Sequence, residues 1–314
     1  MSGNEGSGKG ALRHIIESQQ FNLDFLGELF ERSGRIAGGE MPPRLGSTIM
    51  ASLFYEPSTR TRFSFEAAMA RLGGQVLTTE NAREFSSFAK GESLEDSIRI
   101  LGGYADLIVM RHDEIGAARR AGAISPVPVI NGGDGAGQHP TQALLDLFTL
   151  HQEFGHIDGL HVAMVGDLRY GRTVRSLAYL LSRYKGVNIT FVAPPVSQMQ
   201  DDIKRYLERQ GVRFRETEDL DTVLPNADCV YMTRIQKERF VDMGEFEQAN
   251  NRYRLSLENV ATMGKKAIIM HPLPRVTEID PEVDADPRAR YFEQAKNGVW
   301  VRMAVIQYVL GLWG

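Results

Sequence analysis

The sequence predicts an α/β protein of two domains, each a mostly parallel sheet flanked by helices, the two joined by helices. Three observations carry this expectation. Short apolar runs of strand length alternate with amphipathic stretches of helix length; the alternation restarts near residue 161; and 314 residues are enough for each half to bury its own core.

Residues 1–10 are rich in Gly and Ser and read as a flexible tail. Within it Gly3 to Lys9 spells G-x-x-x-x-G-K, but Gly10 stands where a magnesium-binding Ser or Thr is needed and no strand precedes the loop, so a phosphate loop is not expected. Leu23, Leu26, Leu29 and Phe30 recur at helical spacing, and Gly38-Gly39 can stop that helix. Apolar runs at 48–54, 107–110 and 127–130 read as strands, each followed by a helical stretch, at 59–72, 113–121 and 140–154. The second round has strands at 161–165, 188–192, 229–232 and 267–270, with helices at 171–184 and 198–209 and a closing helix at 298–312. The first domain is taken as 11–145 and the second as 146–297. Spacing leaves open which domain the closing helix packs on; we assign 298–314 to the first.

Composition narrows the function classes. A net charge of -4 and a pI near 6.0 supply no broad positive field for nucleic-acid phosphates. Cys229 is the only cysteine, which rules out an intrachain disulfide or a cysteine-based zinc cage and fits a reducing compartment. Its apolar surroundings predict a buried, unreactive thiol. The seven histidines show no metal-ligand spacing, and no apolar run approaches the roughly 20 residues of a membrane helix. The start lacks the apolar stretch of a secretory signal. The expectation is a cytoplasmic protein with no metal, no nucleic-acid partner and no membrane association.

In open parallel sheets ligands bind beyond the carboxyl ends of the strands. After the first strand comes F-Y-E-P-S-T-R-T-R-F at 54–63, a Pro turn running into a helix start. Ser58 or Thr59 can cap that helix; free N–H groups, hydroxyls and a guanidinium would converge there, as a phosphate group requires. Arg111 follows the next apolar run, and His139-Pro140-Thr141-Gln142 opens the helix after the third. Three strand ends thus offer hydrogen-bond donors.

The motifs S-T-R-T-R at 58–62, H-P-T-Q at 139–142 and H-P-L-P at 271–274 resemble those of the aspartate and ornithine carbamoyltransferases. G-D-L-R-Y-G-R-T at 166–173 and T-R-I-Q-K-E-R at 233–239 resemble aspartate-binding segments of the aspartate branch, and the likeness covers most of the chain. The resemblance implies that Ser58, Thr59, Arg60 and Thr61 hold the phosphate of carbamoyl phosphate, with Leu273 and Pro274 beside it. It implies that Thr61, Arg111 and His139 donate to the carbonyl oxygen and that Gln142 holds the amide group. Arg60, Thr61, Arg111 and His139 are thereby the catalytic set. Arg172, Arg234, Gln236 and the backbone near Leu273 would bind L-aspartate, and two guanidinium forks suit its two carboxylates. The ornithine branch typically has H-C-L-P where this chain has His271-Pro272-Leu273-Pro274.

The loop S-S-F-A-K-G at 86–91 resembles one lent by a neighbour in a homotrimer with shared sites, with Ser86 and Lys90 as the lent residues. Glu56 resembles the acid that pairs with Arg172 and Arg239 when the domains close. A regulatory or other pyrimidine-pathway subunit is a compatible partner, and no cofactor is implied. Against a nicotinamide-dependent dehydrogenase, the strand at 161–165 is followed by Gly166-Asp167-Leu168-Arg169, which puts bulk where G-x-G-x-x-G would admit a pyrophosphate.

Overall fold

The computed structural model describes residues 13–85, 90–235, 242–249 and 252–313. The segment 1–10 and its G-x-x-x-x-G-K pattern lie outside the described residues.

Helix α1 (Leu23–Ala37) starts where the Asn22 side chain accepts from the Phe25 N–H at 2.9 Å and ends at Gly38. The first sheet follows: β1 (Ile49–Phe54), α2 (Thr59–Arg71), β2 (Gln75–Thr79), α3 (Ala82–Phe85), α4 (Leu94–Leu101), β3 (Leu107–His112), α5 (Ala117–Ile124) and β4 (Val129–Asp134). Its strands are parallel in the order β2-β1-β3-β4. Helix α6 (Pro140–Phe154) leads to β5 (His161–Val165), α7 (Arg172–Leu181), β6 (Asn188–Val192), α8 (Asp201–Arg209), β7 (Arg213–Thr217) and β8 (Cys229–Met232). After α9 (Met243–Ala249) and α10 (Leu257–Val260) come β9 (Ile268–Met270) and α11 (Tyr291–Val309). The second sheet, also parallel, is ordered β7-β6-β5-β8-β9.

The α/β class stands, with several local differences. Strands β2 and β7 are absent from the sequence reading because both are edge strands, with one neighbour each and mostly exposed side chains, so neither shows an apolar run. Helix α4 is a further amphipathic element not anticipated. The closing helix begins at Tyr291, seven residues before 298: its first turns bury Gln294 and Asn297, polar side chains that hide the apolar period. Helix α11 packs against α1, α2 and α6, while Tyr291 at its start joins the core beside β8 and β9. Burying side chains such as Val301, Val305 and Ile306 contributes about 1.5–3 kcal/mol each. Cys229 is fully buried, and burial, followed by the nearby Asp146 and Asp228 charges, pushes its thiol well up. Among the described residues no helix is long and apolar enough to cross a membrane.

Each sheet reverses its winding once, between β1 and β3 in the first and between β5 and β8 in the second. Crevices open at such reversals, at the strands' carboxyl ends. Here the two crevices line one cavity of about 900 Å³.

Candidate active site

From the first sheet the cavity is lined by Glu56, Ser58, Thr59, Arg60, Thr61, Arg111, His139 and Gln142. From the second come Arg172, Arg234, Leu273 and Pro274. Lys90 is exposed and is not part of the lining. Ser86, Gln236 and Arg239 lie outside the described residues.

The start of α2 departs from the expected capping. Ser58 occupies the cap position in extended conformation, but its side chain makes no cap bond. Its hydroxyl instead accepts from Nη1 of Arg111 at 3.2 Å. Helix α2 therefore opens on the cavity with its first N–H groups uncapped by a side chain, Arg60 and Thr61 among the opening residues. An anion fits that end of a helix. Burial, then repulsion from Arg111 and Arg234, lowers the Arg60 pKa. Guanidiniums from both sheets thus crowd one space, which favours an anionic occupant.

Glu56 answers part of this charge. Its Oε1 accepts from Nε of Arg111 at 2.7 Å and from Nη1 of Arg172 at 3.0 Å, so one carboxylate oxygen ties β3 to the start of α7. Burial pushes the Glu56 carboxyl up, but Arg172 and Arg111 outweigh it and hold the group below its ordinary value. Arg172 also donates to the Gly135 carbonyl at 2.8 Å. Gly133 sits below that guanidinium at φ 119°, where an added Cβ would lie 3.0 Å from Cζ of Arg172. The pairing of Glu56 with Arg111 was not anticipated from sequence.

His139 precedes Pro140 at the first turn of α6, and its backbone N–H donates to Ser176 of α7 at 2.9 Å. Its imidazole is buried, with Nε2 3.3 Å from the Thr61 hydroxyl. Burial, then the positive charges of Arg172, Arg111 and Arg302, hold its pKa well below the ordinary histidine value. The ring is therefore a neutral hydrogen-bonding group at neutral pH, suited to donate to an oxygen on which charge develops. Nitrogen-15 spectra of the labelled imidazole are expected to show the neutral form at pH 6.0; protonation with a midpoint near 6.5 would contradict this electrostatic reading.

On the second sheet, Gly166 directly follows β5 at φ 109°, and a Cβ there would clash with the Thr233 carbonyl oxygen. The Thr233 hydroxyl accepts from the Asp167 N–H at 2.9 Å and donates to the Val165 carbonyl at 2.8 Å, fixing the approach to Arg234. After β9, Nδ1 of His271 accepts from the Leu273 N–H at 2.7 Å, so Nε2 carries the proton it donates to Glu278 at 2.8 Å. Leu273 sits at φ 56° before a cis Leu273-Pro274 bond. With its N–H engaged, Leu273 can offer a ligand its carbonyl oxygen.

The cavity also contains residues that sequence reasoning passed over. Gln294 and Arg302 of α11 line it, and Arg302 is almost fully buried over the Phe65 ring, 5.0 Å from its centroid. Burial lowers the Arg302 pKa to about 10, while Asp146 opposes the shift. A charged residue inside the run V-W-V-R-M-A-V was the available signal.

Comparison with known proteins gives the same picture. Residues 13–152 match the carbamoyl-P binding domain of aspartate/ornithine carbamoyltransferases, and residues 158–309 match the Asp/Orn binding domain. The chloroplastic aspartate carbamoyltransferase of Arabidopsis thaliana is 55% identical over 307 residues, covering 96% of this chain and 79% of that protein. The aspartate carbamoyltransferase catalytic subunit of Methanocella arvoryzae is 52% identical, covering 96% of this chain and 98% of that one. Trypanosoma cruzi aspartate transcarbamoylase, solved in complex with carbamoyl phosphate and aspartate, superposes with a TM-score of 0.89 at 40% identity, over 94% of this chain and 95% of that one. Two matched domains that span nearly the whole chain, and a cleft where both sheets present guanidiniums, lead to one assignment: the chain belongs to the aspartate/ornithine carbamoyltransferase family.

Proposed function

We propose that the protein transfers the carbamoyl group of carbamoyl phosphate to the amine of L-aspartate, giving N-carbamoyl-L-aspartate and phosphate. The observation that carries this reading is the single cleft in which the open start of α2 faces Arg172 and Arg234 across the two sheets. One side suits a phosphate and the other a dicarboxylate. The relatives named above act as aspartate carbamoyltransferases, and one is solved with both substrates.

In this reading Ser58, Thr59, Arg60 and Thr61 hold the phosphate, and Gln142 the carbamoyl amide. Thr61, Arg111 and His139 face the carbonyl oxygen. Arg172, Arg234 and Gln236 bind the acceptor, and the Leu273 carbonyl and Pro274 close the junction between the two substrates. The neutral amine attacks the carbamoyl carbon; charge moves onto the oxygen, then the C–O bond to phosphate breaks and the surplus proton on nitrogen leaves with the phosphate. Removing one donor from such an oxyanion site costs on the order of 3 kcal/mol. No nucleophilic side chain is needed, because transfer between bound substrates gains most from their positioning.

The site is shared in a homotrimer, with Ser86 and Lys90 supplied by a neighbouring subunit. The exposure of Lys90 away from its own cleft supports this. The name catalytic subunit, carried by the Methanocella arvoryzae relative, supports an assembly larger than one chain, with a regulatory subunit as candidate partner. We place the protein in the cytoplasm and in pyrimidine synthesis, on its lone buried thiol and on the product of the reaction. The domains divide as 11–145, completed by 298–314, and 146–297.

The test is chemical. Purified protein given carbamoyl phosphate with either L-aspartate or L-ornithine is expected to form N-carbamoyl-L-aspartate. Preference for ornithine would reassign the acceptor, and no product with either would remove the reading.

A further inference from the structure

Gln142 and Asp146 lie one turn apart on α6, both buried. Nε2 of Gln142 donates to Oδ1 of Asp146 at 2.8 Å. The same oxygen accepts from Nε2 of Gln294 at 2.6 Å, and Oδ2 accepts from the Tyr231 hydroxyl at 2.7 Å. One carboxylate thus gathers donors from α6, α11 and β8.

Burial pushes the Asp146 carboxyl up to about 6, against the lowering by its three donors and Arg302. At pH 8 it is therefore ionised and only accepts hydrogen bonds; each of these partners must then turn a donor toward it. For Gln142 this spends the NH2 end of the amide. Its Oε1, which has no hydrogen-bond partner among the described residues, is the end left for a ligand on a side chain that lines the cleft. Gln294 is held similarly: its NH2 goes to Asp146 and its Oε1 accepts from the His271 N–H at 2.8 Å. We propose that Asp146 is a positioning residue that holds the Gln142 amide with its oxygen toward the cleft, so that the site selects a carbamoyl phosphate over an acyl phosphate.

The inference rests on the carbamoyl-transfer reading and deepens it. A carbamoyl and an acetyl group have nearly the same size and differ in NH2 against CH3. Only an acceptor oxygen distinguishes them by hydrogen bonding. An unrestrained Gln142 can present either end of its amide to the ligand and must lose rotational freedom to offer its oxygen, so the preference shrinks.

Two stable phosphonates isolate this difference: phosphonoacetamide and 2-oxopropylphosphonate, which differ only in NH2 against CH3. Calorimetric Kd values for the wild type are expected to favour the amide by about tenfold or more, the scale of one buried hydrogen bond made or lost. Asp146→Ala is expected to bring the two ligands within about threefold of each other, by the same scale. Asp146→Asn is expected to keep the preference, because its Oδ1 still accepts from Gln142 while its NH2 turns to the Tyr231 oxygen. Tyr231→Phe is expected to lower Tm with the ratio unchanged, which separates positioning from general support of the fold. If Asp146→Ala does not fold, Asp146→Ser replaces it, since a hydroxyl that both donates and accepts no longer fixes which end of the amide it meets. A wild type without preference, or an Ala or Ser variant that keeps it, overturns the proposal. Wild-type turnover of carbamoyl phosphate with L-aspartate is measured alongside. Preference for the amide without turnover would fall on the reaction assigned above and leave the role of Asp146 standing.

Discussion

Replacing Arg60 by alanine is expected to lower kcat/KM for carbamoyl phosphate by at least about a hundredfold, while Tm holds or rises. At the end of β1 the chain enters α2 without a side-chain cap and presents backbone N–H groups, hydroxyls and the Arg60 guanidinium to the cleft. A charge-assisted hydrogen bond in a shielded site is worth about 1.5–3 kcal/mol or more, and the transition state carries more localised charge than the substrate. Stability should not fall, because without a ligand the Arg60 charge is disfavoured by partial burial and by repulsion from Arg111 and Arg234. A folded variant with less than a tenfold loss would remove Arg60 from the phosphate site.

The second large effect is expected at Glu56. Glu56→Ala should raise KM for L-aspartate by about tenfold or more, with a smaller change in KM for carbamoyl phosphate, on the scale of breaking a shielded charged hydrogen bond. The Glu56 carboxylate holds Arg111 and Arg172 together across the two sheets. Without it Arg111 and Arg172 repel each other, and Arg172 is displaced from the position in which it meets the acceptor carboxylate. Glu56→Gln keeps one acceptor oxygen and should fall between. The sign with pH follows from the depressed carboxyl of Glu56. Its contribution is fully present above the unfolded value near 4.5 and is lost as pH falls through the lower folded value. The wild-type bridge should therefore be intact from pH 6 to 8, and the ratio of variant to wild-type KM should be flat over that range. An unchanged KM for L-aspartate in Glu56→Ala would sink the bridge as a determinant of acceptor binding.

Much of this architecture is legible in the chain because the motifs sit at strand ends. Helix α6 has the bounds its sequence suggests, since Pro140 presets its first turn and Gly155 ends it in a left-handed conformation. Strands β5 and β8 are buried and apolar, so their runs are unambiguous. Edge strands β2 and β7 carry no such run, and the polar first turns of α11 conceal its start. The site divides in the same way. Residues recognised by motif, among them Ser58, Arg60, Arg111, His139, Arg172 and Arg234, line one cleft. Their pairings do not follow from spacing. That Ser58 would accept from Arg111 instead of capping α2, or that Glu56 would bind Arg111 as well as Arg172, depends on how β1 and β3 lie side by side. Asp146 had a local signal, a carboxylate one turn after Gln142 on a buried helix face, but its partners Tyr231 and Gln294 are distant in sequence.

The central claim is that one cleft between the two sheets holds both substrates at once. Calorimetry with N-(phosphonacetyl)-L-aspartate, in which a phosphonate and an aspartate are joined, tests it most directly. One ligand per chain is expected, bound far more tightly than phosphate or L-aspartate alone, with affinity reduced both by Arg60→Ala on the first sheet's side and by Arg234→Ala on the second's. Binding no tighter than that of the separate halves, or affinity sensitive to only one of the two arginines, would contradict it.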